Sequence, residues 1–212
     1  MYLPAHFAET RVEVLGELIR AHPFGALVTL GPEGLDANHL PFEWDPHPAP
    51  FGTLRAHVAR ANPLWQRLPG AATPLAIFQG AQGYITPSWY PTKQETGKVV
   101  PTWNYLVVHA YGAARVIQDT KWLRAFVGRL TDRFEGVRER PWKVEDAPEA
   151  FIAAHLQAIV GIEMTVERWL GKWKVSQNRP AADRDGVVAG LRDSNAEVDR
   201  NLAEEVAKAL RS

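Results

Sequence analysis

Several strand-like runs follow one another here with short turns between them and no regular strand–helix alternation, which excludes most folds open to a chain of 212 residues. Gly25–Leu30 and Leu35–Phe42 are apolar stretches separated by Gly31-Pro32-Glu33-Gly34, the signature of a β-hairpin. Gly52–Val58 alternates polar and apolar residues after a loop marked by Pro46, Pro48 and Pro50. Further strands are predicted at Pro74–Gln79, Gly83–Thr86, Thr102–Ile117 and Ile159–Leu170. Helical spacing predicts a helix over Glu9–His22, built on Leu15, Leu18 and Ile19, with Thr10 as its cap and Pro23 as its stop. It also predicts helices over Asp119–Phe134 (Trp122, Phe126, Val127 and Leu130 in one stripe) and Pro148–Leu156, and a short one from Asn62-Pro63 to Leu68. Consecutive strands without βαβ alternation place the chain in the α+β class with an antiparallel sheet, and barrel closure would remove its exposed edges.

From Ala181 the pattern changes. Val198, Leu202, Val206 and Leu210 recur every fourth residue on a polar background and mark an amphipathic helix. Val187 and Leu191 predict a shorter helix before it, with a break over Gly190–Asn195. The expected organisation is one domain over residues 1–192 and a packed terminal helix over 193–212.

Eight Trp and eight Phe supply material for a substantial core, and 24 basic residues balance 24 acidic ones. That balance gives no global field for nucleic acid. Absence of cysteine removes disulfides, thiolate metal sites and a cysteine nucleophile. No signal peptide is visible at the start, and no apolar run approaches the roughly 20 residues that span a bilayer. A cytoplasmic protein without membrane contact is the expectation. Seven histidines are scattered without an HExxH or His-x-His pattern, so no metal site is expected. GxGxxG, P-loop and GxSxG elements are absent as well.

Three segments carry residues suited to chemistry. In Gly52–Pro63, Arg55 and His57 share a strand face, Arg60 follows at the turn and Asn62 stands at a helix start. That set could receive a phosphate, while spacing alone favours a solvated sheet face with a capped helix. In Pro87–Tyr105, a long aperiodic loop leads to Trp103, Asn104 and Tyr105, with Trp89 and Tyr90 upstream. Aromatic surfaces beside an amide suit a flavin ring, a sugar or a nucleobase, and also plain packing. In Gly171–Arg179, Lys172, Lys174 and Arg179 alternate with Ser176, Gln177 and Asn178, which fits closure over an anion or a wet surface strand.

Six ordered blocks, Met1-Tyr-Leu-Pro-Ala-His-Phe7, Leu35–Phe42, Leu54–Pro63, Tyr84–Tyr90, Val100–Tyr105 and Gly171–Arg179, closely resemble the PaiB-like FMN-binding negative transcriptional regulators. The resemblance runs from Met1 to about Leu191 and leaves out the terminal helix. It implies a split β-barrel of the flavin-reductase and pyridoxamine-phosphate-oxidase kind, in a bacterial homodimer with FMN in a groove between subunits. It further implies that Arg55, His57, Arg60 and Asn62 hold the FMN phosphate, that Trp103 and Asn104 lie near the ring, and that Lys172 and Gln177 come from the opposite subunit.

The function so implied is negative transcriptional regulation by a flavoprotein. A flavin-dependent oxidoreductase, a haem-binding or haem-degrading protein, and a structural dimer without cofactor are the alternatives. Chemistry in an oxidoreductase of this kind would reside mainly in the flavin, which fits the lack of a catalytic motif. From Ala181 onward seven acids oppose five bases, a balance that phosphates repel, so direct DNA binding through this tail is not expected.

Overall fold

The computed structural model describes residues 1–69, 72–194 and 196–211, with the side chains of Leu210 and Arg211 and the expected break residue Asn195 outside the described residues. The chain forms two compact units. The first comprises Met1–His22, Phe78–His109 and the chain from Leu170; the second comprises Pro23–Ile77 and Ala110–Trp169.

The predicted hairpin is present as β2 (Phe24–Gly31) and β3 (Gly34–Pro41), paired antiparallel from Phe24↔Pro41 to Gly31↔Gly34. Gly34 sits at φ +108°, a backbone state that L side chains rarely adopt. β4 (Glu43–Asp45) pairs with β5 (Thr53–Ala59), and β5 pairs with β8 (Ile159–Lys174) from Thr53↔Thr165 to Ala59↔Ile159. With β6 (Leu75–Ile85) and β7 (Thr102–Ile117), the hydrogen-bonded order is β3-β2-β6-β7-β8-β5-β4. β1 (Ala8–Glu9) joins β8 through Ala8↔Lys172 and Glu9↔Gly171. Neither β1 nor β4 was visible in the sequence, because two or three residues carry no measurable period.

Four boundaries differ from expectation, each for a physical reason. β6 is one strand where Gly80 and Gly83 suggested a break. These glycines admit helices: a Cβ on Gly83 would lie 2.9 Å from Leu202 Cδ2, and one on Gly80 would lie 3.1 Å from Leu18 Cδ1. The first helix, α1 (Val12–Ala21), starts later than predicted, since Glu9 Oε1 accepts the backbone N–H groups of Thr10 and Arg11, each at 2.9 Å, and Thr10 caps nothing. β8 continues past Leu170 to Lys174, so the basic segment begins inside a strand. α6 (Ala181–Asp193) runs through Gly190, where a break was expected, because Gly190 receives the indole of Trp89.

In the second unit, Asp119 accepts the Trp122 N–H at 2.7 Å and starts α4 (Thr120–Glu135). Trp122 and Phe126 stack 5.2 Å apart, and the Trp122 ring lies where a Cβ on Gly161 would stand. Leu123, Val144, Ile152 and Leu156 form the cluster that docks α4 against α5 (Glu149–Gln157). α2 (Leu64–Arg67) is the short helix predicted after Pro63.

In the first unit, Leu15, Leu18 and Ile19 are buried as the periodicity required. The aperiodic stretch after Ile85 holds a 3₁₀ turn (Pro87–Trp89) and α3 (Thr92–Thr96). The wholly buried Asp183 of α6 accepts both the Thr92 N–H and its hydroxyl, at 3.1 and 2.8–3.0 Å, and so fastens that stretch. α7 (Glu197–Arg211) buries Leu202, Ala203 and Val206.

Candidate functional site

In the second unit, β5 places Arg55 and His57 on one face, as their spacing requires. Both are committed to their surroundings. Arg55 Nε donates to Glu163 at 2.9 Å, and its Nη1 lies 2.9 Å from Asp45. Glu163 also accepts from Arg115 Nε at 2.9 Å, while Glu43 accepts twice from Arg129 at 2.8 Å. Burial pushes the Glu163 carboxyl up, but hydrogen bonds from Arg55 and Arg115 outweigh it and hold the group below the usual carboxylate range. The His57 ring meets Phe126 edge-on at 5.8 Å, and its buried Nδ1 has no hydrogen-bond partner among the described residues. Burial holds His57 below the ordinary histidine value, so it is neutral at pH 7.

Arg60 is a structural clamp. Its guanidinium donates to the carbonyls of Gln157 (2.7 Å) and Ile159 (3.2 Å) and to the Gln118 side chain (2.8 Å). Asn62 accepts the Leu64 N–H at 2.9 Å in the turn before α2, whose cap position falls on Pro63 and not on Asn62 as expected, and it donates to Asn38 at 2.7 Å. Arg55, Arg60 and Asn62 therefore spend their polar atoms inside the protein. Carboxylate neighbours around Arg55 are a feature that linear spacing cannot reveal.

The first unit holds the other four candidates and separates them by face. Trp103 is 49 % exposed, donates to Gln82 at 3.0 Å and meets Tyr84 edge-on. Asn104, next along β7, turns inward, is 1 % exposed and donates to Ser176 Oγ at 2.8 Å. Its Oδ1 is buried without a partner among the described residues. Such an orphaned acceptor costs about 1–3 kcal/mol unless a ligand or water supplies a donor. Two residues on, Leu106 lines a cleft of about 920 Å³ together with Leu18, Val175, Trp173 and Gln177. Asn104 thus shares a strand face with the wall of this cleft. Gln177 is folded back on its own turn, accepting the Val175 N–H at 2.8 Å and donating to the Trp173 carbonyl.

Lys172 is buried, donates to the Tyr2 carbonyl at 3.0 Å and faces the rings of Tyr2 and Tyr105 at 5.6 and 5.3 Å. Lys174 lies on the same strand face and donates to the Thr102 hydroxyl and the Trp103 carbonyl. Burial, and then the charges of Lys172 and Arg179, hold Lys174 below the ordinary lysine value. Arg179 lies 5.0 Å over the Tyr90 ring.

Residues 1–168 match the family described as "Putative FMN-binding domain". An uncharacterised protein of Aspergillus fumigatus is 36 % identical over 97 % of this chain and 96 % of its own length. The Bacillus subtilis protein named protease synthase and sporulation protein PAI 2 is 29 % identical over 96 % of this chain and 95 % of its own. Among solved structures, the flavocytochrome Anf3 of Azotobacter vinelandii superposes with a TM-score of 0.58 at 13 % identity, over 79 % of this chain and 69 % of that one. The shared architecture is the antiparallel split-barrel class with flanking helices that the sequence predicted.

Proposed function

The chain belongs to the FMN-binding-domain family, and from that premise we propose that it binds FMN as a cytoplasmic homodimer and serves in negative regulation of transcription. The observation that carries the flavin reading is Asn104. Its buried, unpartnered Oδ1 suits an N–H on the pyrimidine edge of a flavin, and it shares a face with the apolar wall of a cleft. Bound flavin supplies redox chemistry, while the chain's own residues bind and orient it. Gln177, which lines the cleft, remains a candidate beside Asn104, while Lys172 faces Tyr105 on the opposite face of β7, where Trp103 offers an exposed aromatic surface.

Arg55, His57, Arg60 and Asn62 enter this reading as the scaffold that shapes the second unit. Their internal bonds leave Arg55 and Arg60 little free donor capacity for a phosphate. Regulation is indirect, through a small molecule or a protein partner, because the tail from Ala181 is net acidic.

Absorbance of the purified protein tests the reading. Visible flavin bands and quenching of FMN fluorescence on titration are expected, with no Soret band. A Soret band without flavin absorbance would move the assignment to haem, and Asn104→Ala should weaken FMN binding while leaving the fold intact.

A further inference from the structure

A lysine that is 7 % exposed normally has a carboxylate beside it, because a charge taken out of water is costly unless an opposite charge comes with it. Lys172 has none. Among the described residues no carboxylate lies within ion-pairing distance of Lys172, Lys174 or Arg179. Asp183, the buried acid in the same unit, is engaged by the backbone and hydroxyl of Thr92. Lys172 and Lys174 share one face of β8, and Arg179 follows directly after it, past a turn closed by its N–H on the Ser176 carbonyl at 2.9 Å. The contrast with the second unit is sharp: Arg55, Arg115 and Arg129 each meet carboxylates there.

We propose that Lys172, Lys174 and Arg179 form an anion seat whose missing counter-charge is a phosphate, delivered as the phosphate monoester of a flavin nucleotide or as free phosphate. The flavin source rests on the function proposed above; the seat itself rests on the uncompensated cations. A ligand phosphate would replace the hydrogen bonds that Lys174 now makes to Thr102 and the Trp103 carbonyl with charge-assisted ones. This relocates phosphate recognition from the Arg55–Asn62 segment to Lys172–Arg179.

The experiment compares wild type with Lys174→Gln and Arg179→Gln in three titrations: FMN, riboflavin, and inorganic phosphate alone, the last followed by thermal melting against sodium chloride of equal ionic strength. Lys172→Met is melted without ligand. FMN should bind roughly tenfold or more tightly than riboflavin, and the ratio should collapse in both Gln variants while riboflavin affinity is kept. Inorganic phosphate should raise the melting temperature of wild type only. Lys172→Met should melt at or above wild type, since it removes an uncompensated charge; a merely structural lysine would give the opposite. If FMN and riboflavin bind equally but phosphate still stabilises wild type alone, the seat stands and takes free phosphate. If neither flavin binds, the flavin reading fails and the phosphate melt alone decides the seat. An FMN-to-riboflavin ratio unaltered by the Gln variants, with no specific effect of inorganic phosphate, overturns the proposal whatever the flavin affinity.

Discussion

Gly186 and Gly128 both sit inside helices, yet replacing each with alanine should move stability in opposite directions. Helix propensity alone favours alanine by about 0.8–1.0 kcal/mol at either position. At Gly128 of α4 a Cβ would meet nothing within 4 Å, so most of that gain should appear. At Gly186 of α6 a Cβ would stand 2.0 Å from the Trp89 carbonyl oxygen and 3.3 Å from Pro91 Cδ. A backbone oxygen cannot rotate away as a side chain does, and the neighbouring Thr92 is tied to Asp183 on the same helix. Overpacking of that kind costs about 1–3 kcal/mol, and its upper range applies here because a shift of more than an ångström is needed. The net expectation is a loss of about 1–2 kcal/mol for Gly186→Ala and a gain of about 0.5–1 kcal/mol for Gly128→Ala. For a chain of this size each kcal/mol moves the midpoint by about 2–4 °C, so the two variants should melt roughly 5–10 °C apart. Thermal unfolding followed by far-ultraviolet circular dichroism, supported by urea midpoints, measures both. A Gly186→Ala protein as stable as wild type would refute the close packing of α6 on the Trp89 turn.

Glu163→Gln should destabilise by about 1–3 kcal/mol, because it leaves Arg55, whose side chain is only 20 % exposed, without its buried partner. Arg115→Ala at the 72 %-exposed end of the same network should cost under about 1 kcal/mol, and urea titration separates the two. His57 is held neutral by burial, so as pH falls below about 6.5 the unfolded chain takes up a proton before the folded one does. Stability should therefore fall with pH across that window, and His57→Gln should flatten the slope between pH 7 and 5; an unchanged slope would show that another group carries it. Light scattering at low micromolar concentration should report twice the chain mass, and a monomer that still binds FMN would remove the groove between subunits. Random duplex DNA should show no measurable affinity by fluorescence anisotropy near physiological salt, whereas submicromolar binding with a steep salt slope would turn Lys172, Lys174 and Arg179 into a DNA-facing surface.

What the sequence revealed of the fold tracks how far each signal repeats. The β2–β3 hairpin, β7 and α4 each extend over several periods, and all three stand where patterning put them. Single glycines misled, because a glycine in a strand or helix reads locally as a stop while its tertiary use is close approach. Gly80, Gly83 and Gly190 each receive a side chain from elsewhere in the first unit, Leu18, Leu202 and Trp89 respectively. No residue near them in sequence announces those partners.

The candidate residues show the same limit in electrostatic form. Arg55 and Lys174 look alike in a linear reading, each a cation on a strand among polar neighbours. Glu163, 108 positions along the chain, pairs with Arg55, whereas no carboxylate pairs with Lys174 among the described residues. The difference decides which cation is available to an anionic ligand. A charge already balanced by a carboxylate gains little from a phosphate, since the existing pair must first be broken, while an unbalanced buried charge gains its first counter-ion. Linear spacing brings out both groups of basic residues and is blind to which of them a carboxylate already balances. Trp103 and Asn104 make the same point through geometry: adjacent in sequence, they lie on opposite faces of β7, and only the inward-facing Asn104 carries an acceptor that its own fold leaves unsatisfied. Selecting binding residues in this chain therefore depends on which polar groups remain uncompensated after folding, and that criterion favours Asn104 and the Lys172–Arg179 cations over Arg55 and Arg60.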